Sequence, residues 1–103
     1  MATNTVEFDG HPYEIDTSDV KQVAFANMAA KYEQAVAGFV DTIRKIKNAA
    51  ETWLEPRNDA EAVTALLDLS VAVKTWEHAQ REVVRLNQDA QAAAWAAGID
   101  LKA

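Results

Sequence analysis

The sequence predicts a mainly α-helical protein with a short N-terminal β-hairpin, and three features of its pattern support this fold class. Apolar residues alternate with polar ones over residues 6–15, around a turn-forming Asp-Gly pair. Apolar residues then recur every three or four positions over two long stretches, residues 18–54 and 59–97. A short break that contains a proline separates the two stretches. We therefore expect two long antiparallel helices joined by a short connection.

The first predicted element is the hairpin over residues 6–15. Asp9 and Gly10 favour a type I′ turn, because both central residues of that turn need a positive φ. With the turn there, Phe8 pairs with His11, and alternate side chains point to one face of the ribbon. A two-stranded ribbon is marginal alone, so we expect this face to lie against the helices. The residues of the face are Val6, Phe8, His11, Tyr13 and Ile15.

The first long helix is predicted over residues 18–54, after several N-cap candidates at residues 16–19. Its apolar positions alternate in spacing between four and three, which gives a coiled-coil seam of four heptads. Gly38 lies inside this stretch and costs about 1 kcal/mol relative to alanine. A kink at Gly38, or two helices that meet there, are therefore open alternatives. The seam consists of Phe25, Ala29, Tyr32, Val36, Phe39, Ile43, Ile46, Ala50 and Trp53.

The second long helix is predicted over residues 59–97. Asn58 and Glu61 stand at the spacing of a capping box, and Gly98 is a good αL residue to end the helix before a tail at 98–103. Two polar seam residues one heptad apart would fix the pairing between helices, or would meet water if the helices diverge. The seam consists of Leu66, Leu69, Val73, Trp76, Gln80, Val83, Asn87, Ala90 and Ala94, of which Gln80 and Asn87 are polar.

Two helices and a ribbon do not enclose a core, although at 103 residues the chain has the size of a single domain. Further apolar residues widen the apolar surface beyond the seams. We therefore expect the chain to form an oligomeric bundle with itself, or to dock on another protein. Trp95, Ile99 and Leu101 near the C-terminus are expected to form a docking tail, with packing onto the hairpin as the alternative. The apolar residues outside the seams are Val40, Val63, Leu67, Val71, Val84 and Leu86.

Charge is unevenly distributed along the chain, whose net charge is −6. Residues 1–19 carry acids and no lysine or arginine, which argues against direct binding to nucleic acid or to an anionic membrane. No apolar run approaches the length of about 20 residues that spans a bilayer. Residues 1–5 lack the features of a signal peptide, so we expect the protein to stay where it is made. The acidic surface comprises Glu7, Asp9, Glu14, Asp16 and Asp19.

Nothing in the sequence predicts catalysis, a metal or a cofactor. There is no cysteine, and the two histidines, His11 and His78, have no partner at metal-ligand spacing. Neither Ser18 nor Ser70 stands in a nucleophile motif, and no glycine-rich phosphate loop is present. We therefore expect a protein that binds other molecules and is not an enzyme.

Several segments together resemble an uncharacterised domain of bacteriophage tail-fibre and tail-assembly proteins. In that family an F-x-G-x-x-Y/W-x-x-D strand pair leads into a helix, and Phe8-Asp-Gly-His-Pro-Tyr-Glu-Ile-Asp16 is similar to it. The run from Thr52 to Asn58 is similar to the Trp–Asn segment of the family. The later residues Leu67, Leu69, Ala72, Val73, Trp76 and His78, and the alanine-rich residues 90–94, are similar to its closing amphipathic helix.

The resemblance implies a phage-encoded protein that acts in or on the tail, as a virion component or as an assembly factor. It would lie in the cytoplasm of the host cell or in the virion, and would bind itself, another phage protein or a host protein. One alternative is an inhibitor of a host defence system, in which the acids of residues 7–19 imitate nucleic-acid phosphates or an oligomer sequesters a nucleotide. Another is a regulator or antitoxin-like partner of a cellular protein.

Overall fold

The computed structural model describes residues 2–102 and shows two strands followed by two long helices. The mainly helical fold class with an N-terminal antiparallel hairpin is therefore confirmed. The chain divides into two compact units. Residues 2–36 and 82–102 form what we call the hairpin unit, and Ala37–Arg81 form what we call the loop unit. The elements are β1 (Thr3–Phe8), β2 (His11–Asp16), α1 (Val20–Leu54) and α2 (Asp59–Ala97).

The hairpin has the predicted turn and register. Asp9 and Gly10 have φ values of 54° and 80°, as a type I′ turn requires. Phe8 pairs with His11, and the antiparallel ladder continues outward to the pair of Thr3 with Asp16. Strand β1 thus begins three residues before the predicted start at residue 6.

The core of the hairpin unit forms where the apolar face of the ribbon covers the helices. The Phe25 ring lies edge-on to Phe8, with ring centroids 5.7 Å apart, and edge-on to Tyr13 at 5.9 Å. Alanines on both helices leave room for these rings, so large aromatic groups and small side chains fill one core together. The predicted packing of the ribbon on the helices is confirmed. The buried cluster comprises Phe8, Tyr13, Ile15, Phe25, Ala29, Tyr32, Leu86, Ala90 and Ala94.

Helix α1 begins at Val20 because Asp19 caps it. The Asp19 carboxylate accepts hydrogen bonds from the backbone N–H groups of Lys21, at 2.9 Å, and Gln22, at 3.4 Å. The helix then runs without interruption through Gly38 to Leu54. The alternative of two helices that meet at Gly38 is not found.

Helix α2 is closed at both ends by local hydrogen bonds. The Asn58 side chain accepts from the backbone N–H of Glu61 at 2.8 Å, whereas the Glu61 carboxylate reaches back to the N–H of Arg57 rather than of Asn58. At the other end Gly98 has a φ of 70°, and the N–H of Ile99 donates to the carbonyl of Ala94 at 2.9 Å. This Schellman arrangement ends the helix and turns the chain back.

Within residues 2–102, no helix combines the length and the apolar character needed to cross a membrane.

Candidate interaction surface

The loop unit has little core of its own. Only Thr42, Ala65 and Ala72 are buried among residues 37–81, all of which the structure describes. A ring contact in the unit, between Phe39 and Trp76 with centroids 6.1 Å apart, joins two side chains that are only partly buried. The two helices therefore meet in this unit through small side chains.

The helix contact in the loop unit uses different residues of α2 from those that the sequence pattern predicts. Leu69 and Trp76 are partly buried, as expected for seam residues. At two other seam positions of α2, the buried residue is the one that precedes the predicted residue. Ala65 and Ala72 are buried, whereas Leu66 is 50% exposed and Val73 is 38% exposed. Small side chains let two helix backbones approach closely, so the alanines take the contact and the larger residues lie beside it.

Large apolar side chains are instead concentrated on the surface of the loop unit. Nine of them are exposed, although no large side chain of the unit is buried. On soluble proteins, large contiguous patches of exposed apolar side chains mark sites of interaction with other molecules. The exposed residues are Val40, Ile43, Trp53, Leu54, Val63, Leu66, Leu67, Val71 and Val73.

Helical spacing divides this surface into sides. Taking about 100° per residue, Leu66 and Val73 lie about 80–100° to one side of the buried Ala65. On α1, Ile43 lies about 100° from the buried Thr42 in the same sense. In an antiparallel helix pair, equal senses on the two helices meet on one side of the pair. We call this side the apolar flank: Phe39, Ile43, Ile46, Ala50 and Leu54 of α1 with Ala62, Leu66, Leu69, Val73, Trp76 and Gln80 of α2.

The opposite side of the loop unit is a groove of about 780 Å³ that both polar and apolar side chains line, Val71 among the latter. Three threonine hydroxyls along it donate back to their own helix, namely Thr42 to the carbonyl of Phe39, Thr52 to that of Asn48 and Thr75 to that of Val71. The groove is open to solvent, so its polar groups can be hydrated. The sequence pattern did not reveal it, because threonines and alanines carry little periodic signal. Its lining includes Thr42, Lys45, Asn48, Thr52, Thr64, Asp68 and Thr75.

The two predicted polar seam residues have different surroundings. Gln80, in the loop unit, is exposed. Asn87, in the hairpin unit, is partly buried and accepts a hydrogen bond from the Gln91 side chain. Burial raises the pKa of the Tyr32 hydroxyl, and a hydrogen bond with Asn87 partly opposes this rise. Asn87 therefore belongs to the packing of the hairpin unit.

The residues of the predicted docking tail also differ in their surroundings. Ile99 and Leu101 pack against the core of the hairpin unit, which is the alternative considered for them. The backbone N–H of Lys102 donates to the Tyr13 hydroxyl at 2.8 Å and holds the tail on the ribbon. Trp95 remains 88% exposed. Of the three residues, only Trp95 is available to a partner.

The acidic residues near the N-terminus do not form one free surface. Asp16 and Asp19 accept hydrogen bonds from backbone N–H groups where β2 leads into α1. The Asp9 carboxylate lies 3.4 Å from the Tyr32 hydroxyl, which donates to it. Glu7 and Glu14 are exposed on the outer face of the ribbon. Much of this negative charge therefore stabilises the turn and the start of α1.

No candidate metal centre is found in the described part of the chain. Residues 2–102 contain no group of three or more histidine or carboxylate side chains that could hold a metal ion. His11 is partly buried on the ribbon, and His78 is exposed on α2. The surfaces that the described residues offer for binding include the apolar flank, the groove opposite it and the exposed Trp95.

Comparison with known proteins does not assign the chain to a family. No family model matches it, and neither a curated protein nor a solved structure shows significant similarity.

Proposed function

We propose that this chain acts by protein–protein interaction through the apolar flank of its loop unit, as a structural component or assembly factor of a bacteriophage tail. One observation carries the interaction: the loop unit exposes nine large apolar side chains and buries none, and four of the nine, Ile43, Leu54, Leu66 and Val73, lie on the apolar flank. Binding of another protein to a surface of this kind is favourable, because it removes apolar side chains from water.

Burial of the apolar flank by a partner would contribute several kilocalories per mole to the free energy of binding, by about the following amounts. Full burial of one leucine or valine side chain is worth about 1.5–3 kcal/mol. Leu66 is 50% exposed and Val73 is 38% exposed, so covering both is worth about 2 kcal/mol. Covering Ile43 of α1, which is 44% exposed on the same flank, adds about 1 kcal/mol.

The assignment to a phage tail rests on the resemblance of the sequence to the tail-fibre and tail-assembly domain. The residues that carry the opening motif have structural roles that suit a compact interaction module. Phe8 and Tyr13 are buried in the core of the hairpin unit, Gly10 adopts the positive φ of the turn, and the Asp16 carboxylate accepts from the Ser18 backbone.

The alternative of an acidic mimic of nucleic acid has less support. Such a mimic presents its carboxylates to the basic groove of a target, whereas Asp16 and Asp19 are engaged in capping the local backbone. Glu7 and Glu14 alone are a small acidic surface.

Sedimentation of infected-cell extracts tests the proposed function. Extracts of cells infected with the phage that encodes the chain would be separated on a density gradient, and the chain located by immunoblot. We expect it in the fractions of tails or tail-assembly intermediates. Its appearance only in the free-protein fractions, throughout infection, would contradict the proposal.

A further inference from the structure

We infer that the apolar flank of the loop unit binds the same flank of a second copy of this chain, so that two loop units form a four-helix bundle. This inference rests on the proposed function, since it names the partner that covers the same surface.

The direction of the apolar stripe is the first argument for a bundle. In an isolated helix pair, the stripe on each helix is centred on the other helix. In a four-helix bundle it points toward the bundle axis, about 45° away from each neighbouring helix. The centre of the stripe Phe39, Ile43, Ile46, Ala50 lies about 60–70° from Thr42.

Helix α2 shows the same displacement. The stripe Leu66, Leu69, Val73, Trp76 is centred about 60° from the buried Ala65. Both displacements are toward the same side of the pair. The sequence thus places one apolar stripe of each helix toward a position that a second helix pair would occupy.

The size of the flank agrees with an interface between two copies. Its helical stretches, residues 39–54 and 62–80, are about 25–30 Å long at 1.5 Å per residue. Two helices with axes about 9 Å apart are about 20 Å wide, so the footprint is about 500–600 Å². A ridged surface has more accessible area than its footprint. The flank is therefore comparable to the roughly 800 Å² per partner of a standard stable interface.

The charge distribution also favours a second copy. A two-fold interface brings a patch against itself, so any charge near its centre would meet a like charge. The eleven residues of the apolar flank include no charged side chain, and Gln80 is the one polar group. The charges of the loop unit lie outside the flank, as in the ion pairs of Lys45 with Asp41 and of Lys47 with Glu51. A partner selected by charge would need complementary charges on the flank itself.

Two adjacent leucines provide a matched test of the interface. Leu66 and Leu67 lie on the same turn of α2 and have similar exposure, 50% and 62%, but Leu67 points away from the flank. Sedimentation equilibrium would be measured for the purified wild-type chain, Leu66→Asp and Leu67→Asp. We expect a wild-type dimer, a dissociation constant raised about 100-fold or more by Leu66→Asp, and a change below about 5-fold for Leu67→Asp. A monomeric wild type, or an equal response of the two variants, would overturn the inference.

A milder pair of variants guards against misfolding. The chain has no cysteine, so Leu66→Cys and Leu67→Cys each introduce a single thiol. The rate of alkylation by iodoacetamide would be measured across protein concentration. We expect alkylation of the thiol at position 66 to slow at least about 10-fold as the dimer forms, because burial blocks the reagent, and that at position 67 to stay constant. A rate at position 66 that does not depend on concentration would refute the interface.

These measurements separate the inference from the proposed function. A monomeric chain that nevertheless sediments with tail particles would exclude the second copy and leave the interaction function in place. A dimer that never sediments with particles would support the interface and contradict the tail function.

Discussion

At the scale of single residues, two carboxylates determine how the ribbon leads into α1. Asp16 accepts hydrogen bonds from both the backbone N–H and the hydroxyl of Ser18, and Asp19 caps the first turn of the helix. Each is an acid that the sequence pattern placed in a single acidic surface. Their structural use explains why the acidic N-terminal segment is compatible with a compact fold.

Replacement of Asp19 by alanine should remove the N-cap of α1. Loss of the side-chain acceptor leaves backbone N–H groups of the first turn without a partner, which costs about 1 kcal/mol in the free energy of unfolding. Urea denaturation at fixed protein concentration measures the change. Asp19→Asn keeps the acceptor and should leave the stability within about 0.5 kcal/mol of the wild type. An equal loss in both variants would show that the cap is not the cause.

The hydrogen bonds from Ser18 hold the pKa of Asp16 below its ordinary value, the bond from the hydroxyl having the larger effect. Because the folded pKa is lowered, the ionised carboxylate stabilises the fold at neutral pH. This contribution is lost as the pH falls below about 4, through the folded pKa. Ser18→Ala should raise the pKa of Asp16 toward the ordinary value, measured by NMR titration of its carboxyl carbon. Thr17→Ala is the control, and an unchanged pKa in Ser18→Ala would contradict this cause.

At the scale of helices and strands, the sequence predicted the positions of the elements better than the contacts between them. The Asp-Gly turn, the capping residues and Gly98 have local backbone requirements, so residues 6–15 and the end of α2 could be predicted without knowing the tertiary structure. The side of α2 that meets α1 was not predictable in this way. A search for large apolar residues selected Leu66 and Val73, whereas the buried residues are Ala65 and Ala72.

The same limitation applies to the candidate site. Alanines at residues 62, 65, 72 and 79 alternate with Leu69 and Trp76 at spacings of three and four, and this pattern was the available signal. Hydrophobicity alone gives these alanines little weight, because each buries a small area. The predicted seams therefore contain nine of the eleven residues of the apolar flank, but the side of the helix pair that these residues face could be recognised only once the buried positions were known.

Substitutions of Gly38, which lies inside α1, and of Gly98, which directly follows α2, are expected to have opposite effects on stability. Gly98 has a φ of 70°, which a side chain adopts at a cost of about 1–2 kcal/mol, so Gly98→Ala should lower the stability by that amount. Gly38 is helical, and an added Cβ would meet no atom within 4 Å. Gly38→Ala should therefore raise the stability by about 0.5–1 kcal/mol. Thermal and urea unfolding would measure both, and effects of the same sign would contradict the assignment.

At the scale of the whole molecule, the two units differ in how far they satisfy their own apolar surface. The hairpin unit buries aromatic and aliphatic side chains beneath its ribbon and its tail. The loop unit has no such cover and presents its larger apolar residues to solvent. Folding and association are therefore expected to be linked in this chain, and the loop unit gains most from association.

The solution mass of the purified wild-type chain tests the central claim most directly. It would be measured by light scattering behind a sizing column over a wide range of protein concentration. Covering of the apolar flank by a second copy predicts a mass of twice 11.3 kDa at high concentration, falling toward 11.3 kDa on dilution. A mass of 11.3 kDa at every concentration, with the helices folded by circular dichroism, would contradict it.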